Sequence, residues 1–150
     1  MISRVVNNIG VGKVEAVFQN VSTTVAAGDA RPMTADDFDN NIRVVSHVGL
    51  NQVSVNTTTS PIHGVVLAYS EDNYPSKTHP DLLTVQIQGI ALAEGTTTLP
   101  VATVGANAQI CQTGGKVKYI SGHATTMRAM GQTARVLNVF STDQIELLLS

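Results

Sequence analysis

Four histidines, one cysteine and a group of aspartates are the side chains through which this 150-residue chain could do chemistry. His47, His63, His79 and His123 stand 16 residues apart or more. No pair has the i, i+2 or i, i+4 spacing that puts two imidazoles on one metal locally, although distant ligands can converge in a fold. Each is read first as a surface histidine or a satisfied strand histidine. Cys111 could act as a nucleophile beside a histidine. The alternation in Ala108-Gln109-Ile110-Cys111 instead gives it the commoner role of a small buried hydrophobe. Asp36, Asp37 and Asp39, with Asn40 and Asn41, offer oxygen ligands. A calcium loop needs acids at alternate positions, a glycine, and a glutamate about twelve residues along. That spacing is absent, so a solvated acidic loop is expected. Glu71 and Asp72 are adjacent, and on a strand their carboxylates would point to opposite faces.

Longer motifs are missing as well. There is no G-x-S-x-G elbow around any serine. Gly10-Val11-Gly12-Lys13 lacks both the leading spacing and the following Ser/Thr of a phosphate-binding loop. Lys116, Lys118 and Tyr119 put two cations and one ring on a strand, too little for a nucleic-acid platform. Lysines there are better explained as discouraging strand addition at an edge. Trimeric nucleotide pyrophosphatases of the dUTPase type have this length, but their Gly-Arg-Ser and Gly-Val-Ile-Asp stretches do not occur. No constellation has the make-up of an active site, so no enzymatic activity, cofactor or bound metal is expected.

Composition narrows the setting. Nine Lys+Arg stand against 11 Asp+Glu, for a net charge of −2, and only 13% of residues are charged, about half the usual share. Hydrophobic residues reach 43% although aromatics are 4% and Trp is absent; Val (20) and Thr (17) carry the pattern. A disordered tail would be more charged and less aliphatic. A nucleic-acid binder would show a basic stripe. No run approaches the ~18 apolar residues of a membrane span. The opening Met-Ile-Ser-Arg-Val-Val-Asn-Asn lacks the apolar stretch of a signal peptide. A lone cysteine excludes an internal disulfide framework and suits a reducing cytosol. One domain over 1–150 is expected, burying roughly 70% of its unfolded surface.

Period-2 alternation recurs while helical periodicity does not. Val14, Ala16 and Phe18 define the inward face of a strand over 13–19. Ile42, Val44 and Val48 do so over 42–48, with Arg43 and His47 outward. Residues 62–69 are apolar on both faces apart from His63, which marks a central strand. Leu83, Val85 and Ile87 oppose Thr84, Gln86 and Gln88. Two strands over 134–140 and 144–149 flank Ser141-Thr142-Asp143, a three-residue hairpin loop. Gly114-Gly115 separates 108–113 from 116–120 as a tight turn with positive φ. Helix signals reduce to a capped turn at Thr34–Phe38 and a short turn over 124–130. Residues 71–80 form a loop with two prolines. The fold class is all-β: a small antiparallel β-barrel or β-sandwich with short turns, its core over 13–150, preceded by an extended N-terminal arm over 1–12.

The order of glycine-punctuated strands carries a resemblance. Val25-Ala26-Ala27-Gly28-Asp29 is followed by Gly64-Val65-Val66-Leu67-Ala68 and by Leu83-Thr84-Val85-Gln86-Ile87-Gln88-Gly89-Ile90-Ala91. Then come Val104-Gly105-Ala106-Asn107-Ala108-Gln109-Ile110, Gly114-Gly115-Lys116-Val117, Ala129-Met130-Gly131-Gln132-Thr133-Ala134-Arg135-Val136-Leu137, and Ile145-Glu146-Leu147-Leu148-Leu149. Over residues 21–149 this order resembles the capsid decoration, or cement, proteins of tailed bacteriophages. Independently of any family, Gly28, Gly89, Gly105 and Gly131 fall where bulges and corners are expected in a small barrel. Arg31–Asn41 and Asn73–Pro80 stand as insertions relative to the family pattern.

The resemblance implies a structural virion protein made in the host cytoplasm. It would bind the outside of an assembled head through the major capsid protein, stabilise it, and act as a homotrimer. Neither nucleic acid nor membrane is an expected partner. The arm is expected to contact the shell through Ile2, Arg4, Val5, Val6, Asn7, Asn8 and Ile9. The alternative is a tail, baseplate or fibre-associated β module, although sugar binding would have only Tyr69, Tyr74 and Tyr119 as stacking rings. A small trimeric β enzyme using His63, His123 and the aspartates is the third reading.

Overall fold

Alternating Val and Thr residues become strands wherever turn residues interrupt them. The computed structural model describes residues 12–21, 30–56, 60–71, 79–95, 110–119, 134–140 and 144–149. In chain order the elements are β1 (Val14–Asn20), β2 (Ala30–Arg31), α1 (Ala35–Asp39), β3 (Val44–Gly49), β4 (Gln52–Asn56) and β5 (Gly64–Tyr69). They continue with β6 (Leu82–Glu94), β7 (Ile110–Thr113), β8 (Lys116–Tyr119), β9 (Ala134–Val139) and β10 (Gln144–Leu149). The all-β expectation is correct, and the architecture is a barrel.

Five strands close the barrel in the order β1-β4-β3-β5-β6, with β6 returning to β1. The ladders are antiparallel except β1–β4, which is parallel and short, with Gln19 opposite Gln52 and Asn20 opposite Val53. Closure removes the open edges that a chain with so few charges has little means to protect. β6 is long enough to serve two layers. Its first half pairs with β1 and β5, and its second half pairs with β10, which continues to β9. The changeover falls at Gly89, whose φ is +100°. A Cβ there would sit 3.1 Å from Lys13 Cα, so the corner expected at this glycine is present and requires it.

Two hydrophobic clusters follow from this layering. Val45, Val53, Val55, Val66, Leu83 and Val85, with Met33 and Phe18, fill the barrel. Val44, Ile62, Val65, Ala91, Val117, Val136, Ile145, Leu147 and Leu149 form a second core between the barrel wall and the β6–β10–β9 layer. Neighbours such as Val44 and Val45, or Val65 and Val66, thus face different cores. This accounts for the apolar residues on both faces of 62–69. Burying a Val or Leu side chain is worth roughly 1.5–3 kcal/mol, while an exposed pair such as Lys13–Glu15 at 2.9 Å contributes at most about 1 kcal/mol. The cores therefore hold the fold.

Several facing expectations need correction. Val14 is 41% exposed, because a register shift between Val14 and Glu15 turns it off the inward face. Gln86 is buried at 2%, its Nε2 donating to the carbonyls of Gln88 (3.2 Å) and Ile90 (2.9 Å) across the Gly89 bend. Arg43 is half-buried, with its guanidinium carbon 3.9 Å from the Phe38 ring centre and Nε donating to Phe38 O. β4 was not anticipated, although Gln52-Val53-Ser54-Val55-Asn56 alternates.

The hairpins agree with expectation. Gly114 and Gly115 have φ of +61° and +79°, both positive as a two-residue type I′ turn demands, and they join β7 to β8. The turn docks on the barrel, where Gly115 O accepts from Val44 N at 3.0 Å. β9 and β10 pair antiparallel, with Phe140 N donating to Gln144 O at 2.9 Å. The arm of residues 1–11, Gly28, Gly105, Gly131, the turn expected over 124–130 and the Cys111 side chain lie outside the described residues.

Candidate functional site

The acidic stretch is the first place to look for a site, and it is structural. Thr34 caps α1: its Oγ1 accepts from Asp37 N at 3.1 Å, and Asp37 Oδ2 accepts from Thr34 N at 2.8 Å. The same carboxylate takes Arg31 in a fork, Nη1 to Oδ2 at 2.6 Å and Nη2 to Oδ1 at 3.0 Å. The solvated acidic loop is thus corrected for Asp37, which is buried with three donors on its carboxylate. Asp36, Asp39, Asn40 and Asn41 are peripheral, with Asn41 in the left-handed region at φ 61°. Asp37 resembles neither a metal ligand nor a catalytic acid. Burial pushes its carboxyl up, but the Arg31 and Thr34 hydrogen bonds and the Arg31 charge outweigh that and leave it below the ordinary value.

A second cluster gathers rings from three parts of the chain. Phe18 comes from β1 and His47 from β3; His63 is held just before β5 by its N–H donating to Val45 O at 2.8 Å. The His63 ring meets Phe18 edge-on at 5.0 Å between centres, and lies 5.1 Å from His47 at a tilt of 41°. Phe18 also meets His47 edge-on at 6.5 Å. His47 is exposed and His63 half-buried, and His63 Nε2 is buried without a hydrogen-bond partner. Burial, then the proximity of His47, hold the His63 imidazole below its ordinary pKa. The ring contacts of Phe18 left no trace in the sequence, where it reads only as a core residue.

Of the residues singled out in the sequence, the structure joins His47 with His63. His123 lies outside the described residues. Among the described residues, no three His, Cys, Asp or Glu side chains gather to hold a metal ion. Tyr69, half-buried, packs edge-on against Phe38 at 5.2 Å at the margin of the barrel core. Lys116 pairs with Glu94 at 3.5 Å, so it links β8 to β6. No described helix is long and apolar enough to cross a membrane.

The ring cluster dictates a pH response. Folded His63 resists protonation, whereas the unfolded chain takes up that proton at the ordinary histidine pKa of about 6.5. Stability is therefore complete above that value and declines as the pH falls through it towards the folded pKa. Asp37, depressed in the folded state, holds its contribution above the ordinary carboxyl value and loses it as pH falls below about 4. Urea unfolding across this range should show two separate losses, and His63→Phe should remove the first while sparing the second. A midpoint unchanged between about pH 7 and pH 5 would contradict this account.

Compared with known proteins, the chain matches no family model, no curated protein and no solved structure.

Proposed function

We propose that this protein is a capsid decoration protein that binds the outside of an assembled tailed-phage head, through the major capsid protein, and stabilises the shell. The observation that carries the reading is the order of glycine-punctuated strands over residues 21–149. The make-up of the surface supports it. Charge is sparse, at 13% of residues, and apolar side chains stand in solvent: Leu50 is 93% exposed and Val17 62%. These side chains, with the few charges, are offered as contacts for other protein under this reading. The homotrimer and the exterior of the virion belong to the same proposal.

The arm supplies the most specific test. Residues 1–12 precede β1 and carry Ile2, Val5, Val6 and Ile9 among polar neighbours. Deleting them should leave the cooperative unfolding transition in place, since the barrel starts at Val14, and should abolish co-sedimentation with heads that lack the protein. Unchanged co-sedimentation would remove the arm from the interface.

A further inference from the structure

We infer that His47 and His63 form a two-imidazole binding site for a divalent transition-metal ion of the copper, nickel and zinc class. The two rings come from β3 and from the approach to β5, and lie 5.1 Å apart between centres. With metal–nitrogen bonds of about 2.0–2.1 Å, two imidazoles on one tetrahedral ion have ring centres about 5 Å apart. The rings thus already stand at the separation that a shared ion imposes. Rotation about a metal–nitrogen bond is free enough that the 41° tilt presents no obstacle.

The unsatisfied nitrogen points the same way. A buried polar atom without a partner costs about 1–3 kcal/mol, and His63 Nε2 is the one such side-chain atom among the described residues. A metal ion would satisfy it, and so would no neighbouring protein group in the present arrangement. The rings packed against His63 are those of Phe18 and His47. His47 is exposed, so its ring is the one that can turn to admit an ion. The imidazole of His63 is neutral at pH 7, the form that ligates.

The donor set selects the ion. Calcium and magnesium demand oxygen ligands, and among the described residues no carboxylate joins the pair. Lys13, just before β1, pairs with Glu15, and Arg43, ahead of β3, is engaged with Phe38. β5 and the barrel half of β6, residues 82–88, contain no charged residue. Two neutral nitrogens favour copper(II) over nickel and zinc, and all three over manganese.

The test is titration of the intact protein with copper(II), nickel, zinc and magnesium chlorides, followed by calorimetry and, for copper, by electron paramagnetic resonance. One equivalent of copper should bind with two nitrogen donors in its spectrum, nickel and zinc should bind more weakly, and magnesium should give no heat. His47→Gln and His63→Gln should each weaken copper binding at least about tenfold. His47 is exposed, so its variant remains informative even if the His63 variant folds poorly. The inference fails if the wild-type protein binds no copper. It also fails if His47→Gln binds as wild type does.

Discussion

Gly64→Ala is expected to destabilise the protein by about 3 kcal/mol or more, at the upper end of what overpacking costs. Gly64 begins β5 opposite Val45, one residue before the Val65–Gln86 pair that seals β5 to β6. A Cβ built on it would collide with the Gln86 carbonyl oxygen and lie 2.5 Å from Val85 Cγ1. The first of these is backbone held in a ladder, so no rotamer change relieves the clash and the strands must part. The seam belongs to the closed barrel, and both faces of β5 are packed, by Val66 on one side and Val65 on the other. Gly49→Ala is the control, because its Cβ would meet only the flexible Gln52 Oε1 at 3.3 Å. Urea unfolding should separate the two variants clearly, with Gly49→Ala within about 1 kcal/mol of wild type. Equal stabilities would mean that the β5–β6 seam is looser than described.

Asn20→Ala should cost about as much, for a different reason. Asn20 is buried at the end of β1, where its Nδ2 donates to Met33 O and to Pro80 O, both at 2.8 Å, and its Oδ1 accepts from Met33 N at 2.9 Å. One amide thus fastens the segment before α1 and the approach to β6 onto β1. Met33 is 1% exposed, so truncation leaves its N–H and C=O without partners away from water. Each orphaned group costs roughly 1–3 kcal/mol, and a total of about 3 kcal/mol would lower the melting temperature by roughly 6–12 °C in a domain of this size. Asn20→Asp should fail to rescue, since a carboxylate cannot donate to the two carbonyls and a buried charge adds its own penalty. A loss under about 1 kcal/mol would show that water replaces the amide.

Both residues illustrate what the sequence discloses and what it hides. The strands at 14–20, 134–139 and 144–149 and residues 83–89 of β6 are legible because half-buried strands alternate, that at 64–69 because a run apolar on both faces marks a central strand, and the Gly114-Gly115 hairpin because only glycine takes positive φ freely. The capped turn at Thr34 was legible from its spacing to Asp37. Barrel closure was not, since the parallel β1–β4 contact spans only two residue pairs and leaves no local pattern. Val44 and Val45 facing separate cores was likewise invisible without the second layer. β4 is hard to read from sequence because five residues between polar runs give alternation little length in which to register. Arg31 gave no sign of its partner, and so the acidic stretch looked solvated. His47 and His63 are 16 positions apart, a separation that carries no information about contact until β3 and β5 are paired.

Attachment to a tailed-phage head is the function we propose for this protein. The most direct measurement adds the purified full-length protein to tailed-phage heads that lack it, then follows saturable binding and the temperature at which the heads release their DNA. Saturation at a fixed number of copies per head, accompanied by higher heat resistance, is the predicted result. No binding at micromolar protein would contradict the claim and favour a tail-associated β module instead.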